Sequence, residues 1–114
     1  MPPSEQSEQQ ALVRWLIRHH ITFFHVPNGG QRTARGGRAM KAAGVKPGVP
    51  DIVIIDPPPV GGYVGAVVEL KKTVGGTVSD DQRAWLERFH ARNWAATVAE
   101  GYRAARTWLE DLGY

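Results

Sequence analysis

The sequence contains no cysteine, which removes disulfide frameworks and thiolate metal sites and fits a reducing cytosol. No apolar run approaches the length needed to cross a bilayer, and the N-terminus shows no signal-peptide hydrophobic region. The expectation is a soluble, cytoplasmic protein without membrane partners. The third shortage is local: between Val26 and Pro50 there is no acidic residue. The same stretch carries Arg32, Arg35, Arg38, Lys41 and Lys46, so five positive charges stand together in a chain of net charge +3. A concentrated cationic segment of this kind suits a phosphate backbone, and a solubilising loop would look the same from charge alone. At 114 residues the chain is expected to form a single domain, residues 1–114, with one core.

The most informative residues lie around a Pro/Gly turn. Asp51-Ile52-Val53-Ile54-Ile55 precedes it, and Tyr63 to Lys71 follows, both rich in β-branched residues. Asp56 to Gly62 forms the connection, with Asp56 itself a turn residue. Side chains alternate faces along a strand, so Glu69 and Lys71 point the same way and Leu70 the other. A hairpin turning near Val60 brings Asp51 opposite Glu69. Two carboxylates and a lysine then share one patch. Such a pair holds a divalent cation through hard oxygen ligands, with the ammonium beside it for an anionic substrate. A Glu69–Lys71 surface ion pair, worth at most about 1 kcal/mol, is the alternative.

The remaining elements alternate around this hairpin. Ser4 is a good N-cap, and a helix follows to about His20, with Leu12, Val13, Leu16 and Ile17 on its buried side. Glu5 falls within roughly 20° of both Leu12 and Leu16 on the helical wheel, beside Gln9, and so points toward the core edge. It serves either the helix dipole or a metal shell; Glu8 is the runner-up for the second role. Residues 21–26 read as a first strand, ended by the turn Pro27-Asn28-Gly29-Gly30. Residues 31–45 read as a mobile basic loop interrupted by Gly36-Gly37, with a short helix over 38–43. Ser79-Asp80-Asp81-Gln82 fits a capping box and opens a helix to about Ala91. Trp94 to Ala99 is a fourth strand, and a closing helix runs from Gly101 with Tyr102, Ala105, Leu109 and Leu112 in register. None of the four histidines has metal-like spacing; His19-His20 reads as a helix end. Gly65 and Ala66 are small enough to admit a neighbouring helix.

Pro50-Asp51 followed by Glu69-Leu70-Lys71 resembles the PD-(D/E)xK signature of the restriction-endonuclease-like superfamily. With Val26-Pro27-Asn28-Gly29-Gly30, Gly44 to Asp51, and Ser79 to Gln82 with Trp85-Leu86, the chain resembles the stand-alone virus-type replication-repair nuclease (VRR-NUC) domain. The likeness runs from about Ser4 to about Leu112. It implies an α/β fold of order α-β-β-β-α-β-α, with a mixed four-stranded sheet flanked by helices. It further implies Mg²⁺ or Mn²⁺ held by Asp51, Glu69, the Leu70 carbonyl and Glu5, with Lys71 and Gln82 catalytic. Asn28 would shape the site, and Arg32, Arg35, Arg38, Lys41 and Lys46 would bind DNA. The family's small members imply a homodimer acting on branched or four-way-junction DNA in a bacterial or phage-infected cell. Trp108, off the Tyr102–Leu109 stripe, is the expected interface anchor.

Overall fold

The computed structural model describes residues 3–27 and 34–114, with the side chains of Ala34 and Arg35 outside that description. Asn28 and Arg32 lie outside the described residues. Helix α1 (Glu5–Arg18) starts at Ser4, whose hydroxyl accepts from the Ser7 N–H at 3.1 Å. Its C-terminus closes on His19, and His20 takes φ 55°, so the histidine pair ends the helix as expected. The buried stripe is Leu12, Trp15 and Leu16. Ile17 is 60% exposed, against expectation. It stands about 140° from Leu12 on the wheel, whereas Trp15 stands only about 60° away and takes the core position.

Strands β1 (Phe23–His25), β2 (Ile52–Ile54), β3 (Ala66–Lys71) and β4 (Ala95–Glu100) form one mixed sheet in sequence order. The first two pairings are antiparallel, and β3 runs parallel to β4. Helix α3 (Asp80–Ala91) makes the crossover between those two, and α4 (Tyr102–Asp111) closes the chain. All three β2 residues are buried, as a covered central strand requires. Leu12 and Leu16 of α1, with Ala105 and Leu109 of α4, pack on Ile52, Ile54, Val68 and Leu70.

Helix α2 (Ala34–Ala42) corrects the expectation of a loop broken at Gly36-Gly37. Each glycine costs a helix about 1 kcal/mol relative to alanine, which weakens it without forbidding it. Arg35, Arg38 and Lys41 therefore occupy one continuous helix at intervals of three. At the turn before β3, Gly65 admits the Trp94 indole rather than a helix: a Cβ there would stand 2.5 Å from the ring and 2.6 Å from the Ile54 carbonyl.

Candidate active site

The β2–β3 register pairs Ile52 with Val68, which sets Asp51 across from Glu69 one step beyond the ladder. The Leu70 N–H donates to Asp51 Oδ2 at 2.8 Å, fixing that carboxylate against β3. Glu69 is 3% exposed, the one buried charged residue of the described core. Lys71 Nζ lies 3.6 Å from Glu69 Oε1, so the expected same-face pair forms. Its side chains are 13% and 4% exposed, which removes it from the class of solvated surface pairs.

Gln82 arrives from α3. Its Oε1 accepts from the Ser79 N–H at 2.9 Å, completing the capping box, while its Nε2 donates to Glu69 Oε1 at 2.6 Å. The helix cap and the contact with Glu69 coexist, because a carboxamide has one end for each. Gly48, at φ 82°, lets the chain before Asp51 lie against this helix end. A Cβ there would meet Asp81 and the Gln82 backbone nitrogen at 2.7 Å.

Burial is the largest influence on Glu69, and the Asp51 charge adds to it, so its pKa is pushed up to about 8 despite Lys71. Asp51 is raised as well, mainly by burial, with the Leu70 N–H working against it and Glu5 adding to the rise. Glu69 Oε2 is buried with no hydrogen-bond partner. Two crowded carboxylates with an unsatisfied oxygen fit a hard divalent cation. Among the described residues no three His, Cys, Asp or Glu groups gather into a complete ligand set. The oxygens of water and substrate would have to complete the shell, which is how Mg²⁺ is commonly held.

The site opens into a cleft of about 650 Å³ between α1 and the sheet, lined by Glu5, Gln9, Arg14, His25, Asp51 and Glu69 among others. Glu5 is brought to the site and Glu8 is not. The Glu8 carboxylate instead accepts from the Tyr102 N–H and caps α4. Of the cationic residues, Arg38, Lys41 and Lys46 are exposed to solvent.

Sequence reasoning missed His25. Its Nδ1 lies 2.9 Å from the Asp51 carbonyl, which also accepts from the Val26 N–H at 2.8 Å. A carbonyl can only accept, so Nδ1 carries a proton, and the Nε2 edge of the ring is free of that contact in the cleft that His25 lines. The Gln9 amide nitrogen is placed 3.0 Å from the same Nδ1, and turning the carboxamide presents its oxygen to that proton. The signal available in sequence was weak: a histidine at the end of the strand that pairs beside Asp51.

The family model described as the VRR-NUC domain matches residues 3–103. The chain belongs to the VRR-NUC family. A solved structure named "VRR_NUC domain protein" shares the fold with a TM-score of 0.82 and 22% identity. The similarity covers 98% of this chain and 89% of that one. No curated protein matches the chain. The VRR-NUC domain carries a nuclease-type fold, and the carboxylate pair sits on its hairpin. No helix among the described residues is long and apolar enough to cross a membrane.

Proposed function

We propose that this VRR-NUC domain is a metal-dependent endonuclease that hydrolyses DNA phosphodiester bonds. The supporting observation is the Asp51–Glu69 pair, Glu69 buried and Asp51 half-buried, with an unpartnered Glu69 oxygen and Lys71 beside it. Asp51, Glu69 and the Leu70 carbonyl would hold Mg²⁺ or Mn²⁺, with Glu5, on the α1 wall of the cleft, joining through water. The ion, when bound, supplies Lewis acidity that lowers the pKa of water and screens the scissile phosphate.

The chain's own residues do the rest. Lys71 offers a cation next to the carboxylates, where it can orient the attacking water or stabilise charge growing on the phosphate oxygens. Gln82 fixes the orientation of Glu69 through its amide hydrogen bond, a positioning role. The cationic run Arg32, Arg35, Arg38, Lys41 and Lys46, with Asn28 just before it in sequence, supplies the phosphate affinity.

The substrate in this reading is branched DNA, four-way junctions included, cut by a two-fold dimer with one site per domain. A symmetric pair sets two sites at a fixed separation, and isologous dimers are the commonest oligomers. Trp108 packs partly buried against the core, and its remaining exposed surface is the proposed anchor.

One assay tests the whole reading: nicking of linear, flapped and four-way DNA with Mg²⁺ or EDTA. Metal-dependent cutting that favours branched DNA is expected from wild type. Asp51→Ala, Glu69→Ala and Lys71→Ala should each lose cutting while keeping DNA binding. Full turnover in any of the three would remove that residue from the site. Binding without metal-dependent cutting would reduce the protein to a nucleic-acid-binding module, and a monomeric mass in solution would remove the dimer.

A further inference from the structure

Helix α3 carries a second feature one turn beyond Gln82. Although it packs on the sheet, it buries no residue completely. Trp85, Arg88, Phe89 and Arg92 line an open hollow of about 240 Å³ on its flank. The Arg88 guanidinium carbon stands 4.8 Å from the centre of the Trp85 ring. Trp85 and Phe89 are tilted at 6.3 Å, and Phe89 is held edge-on to Trp94 at 5.3 Å. Arg92 Nη1 donates to the Arg88 carbonyl at 2.9 Å. The hollow is therefore two aromatic rings and two guanidinium groups, with Phe89 held against Trp94, Trp85 half-buried, and both arginines exposed.

We propose that this hollow is a stacking site for an unpaired nucleobase of a nucleic-acid strand whose backbone passes the Asp51–Glu69 pair. The proposal rests on the nuclease reading above and adds a subsite to it. Aromatic faces and arginine planes receive bases irrespective of sequence, and the adjacent cations take the phosphates. In a duplex those base faces are covered by neighbours, so the site selects single-stranded or unstacked nucleotides.

Placement supports the occupant. Trp85 lies about 4.5 Å along the helix axis from Gln82, and Arg92 about 15 Å. Bases along a stacked strand are spaced about 3.4 Å, so the hollow spans about one to four nucleotide steps along α3 from Gln82, the residue that touches Glu69. The N-terminal end of the same helix abuts Gly48, two residues after Lys46, so the cationic segment meets α3 at Asp81 and Gln82, about one turn from Trp85. A second copy of the chain is the less suitable occupant. An isologous contact would bring this patch face to face with itself, arginine against arginine, with no carboxylate among the residues that line it.

The test is fluorescence anisotropy in EDTA, with a short labelled oligo-dT strand and a blunt duplex as probes. Wild type, Trp85→Ala, Trp85→Phe and Arg88→Ala are compared, each checked for an unchanged thermal melt. Trp85→Ala should weaken oligo-dT binding by about 5- to 150-fold, the range for losing one stacked base, and change duplex binding by less than about twofold. Trp85→Phe should keep most of the single-strand affinity, and Arg88→Ala should lose part of it. Equal effects of Trp85→Ala on both probes, or none on either, would overturn the stacking site while leaving the nuclease reading standing. A fall in solution mass with unchanged oligo-dT binding would make the hollow a protein interface and also overturn it. Wild type that binds neither probe would overturn both readings.

Discussion

Replacing Glu69 by glutamine should make the metal-free protein more stable at alkaline pH, although Glu69 is a proposed catalytic residue. Burial and the Asp51 charge lift its pKa from an ordinary 4.5 to about 8. Between those values the folded state keeps a proton that the unfolded chain has released. The folded state thus binds more protons, and stability falls as pH rises through that window. At about 1.36 kcal/mol per unit, a rise of this size corresponds to at most roughly 5 kcal/mol across the window. Glutamine keeps the shape and can still accept from Gln82 Nε2, but it has no charge to desolvate, and it relieves Asp51 at the same time. The assay is urea unfolding in EDTA at pH 5, 7 and 9. The difference between variant and wild type should be small at pH 5 and grow by several kcal/mol toward pH 9. Added Mg²⁺ should stabilise wild type most at pH 9 and Glu69→Gln little at any pH. Parallel pH–stability curves would refute the claim that Glu69 carries the unfavourable charge.

Gly65→Ala should destabilise the fold by about 1–3 kcal/mol, because its Cβ overlaps the Trp94 ring and the Ile54 carbonyl. A thermal melt matching wild type would show that the indole can yield. Gln82→Ala removes one hydrogen bond to the Ser79 N–H and one to Glu69, so denaturant unfolding should report a loss of about 1–2 kcal/mol. Its cleavage rate should also fall, and a variant that loses stability alone would confine Gln82 to capping. Replacing Arg38, Lys41 and Lys46 by alanine should weaken binding to all duplex sequences alike. It should flatten the log K against log salt slope by about 0.9 for each phosphate that is no longer neutralised. An unchanged slope would place the DNA elsewhere.

The parts of the site that could be read in advance were those set by local geometry. Asp51 opposite Glu69 needed only side-chain alternation and the centre of a turn, and the observed register of Ile52 on Val68 preserves it. Ser79 and Gln82 announced a helix start because a capping box is a contact within three residues. What could not be read depended on distant partners. Glu5 and Glu8 are three residues apart on one helix, and only the position of the α4 N-terminus, which takes Glu8, assigns Glu5 to the cleft. His25 joins the site through the Asp51 backbone carbonyl, a contact with no side-chain pattern to betray it. Ile17 lost its expected burial to Trp15 because α1 turns that face toward the sheet, and helix α2 outlasted a glycine pair that local propensity would have ended on.

Gln82 shows why a choice between structural and chemical roles can be the wrong choice. Its acceptor end closes the α3 cap and its donor end holds Glu69 Oε1, so neither bond uses the other's atom. The consequence falls on Glu69. With Oε1 bound to Gln82 and near Lys71, the carboxylate cannot rotate without breaking the hydrogen bond from Gln82 Nε2, and Oε2 is left buried and unpartnered. Alone, that orphaned oxygen is a cost, because a desolvated acceptor has given up its water without replacement. Beside a second carboxylate fixed by the Leu70 N–H, it would serve the proposed cation as a pre-aimed ligand, since the oxygen that lacks a partner is the one with capacity to gain one. The instability of the crowded carboxylates and the metal affinity proposed for them would therefore have one cause, and Gln82 holds Glu69 in place for both.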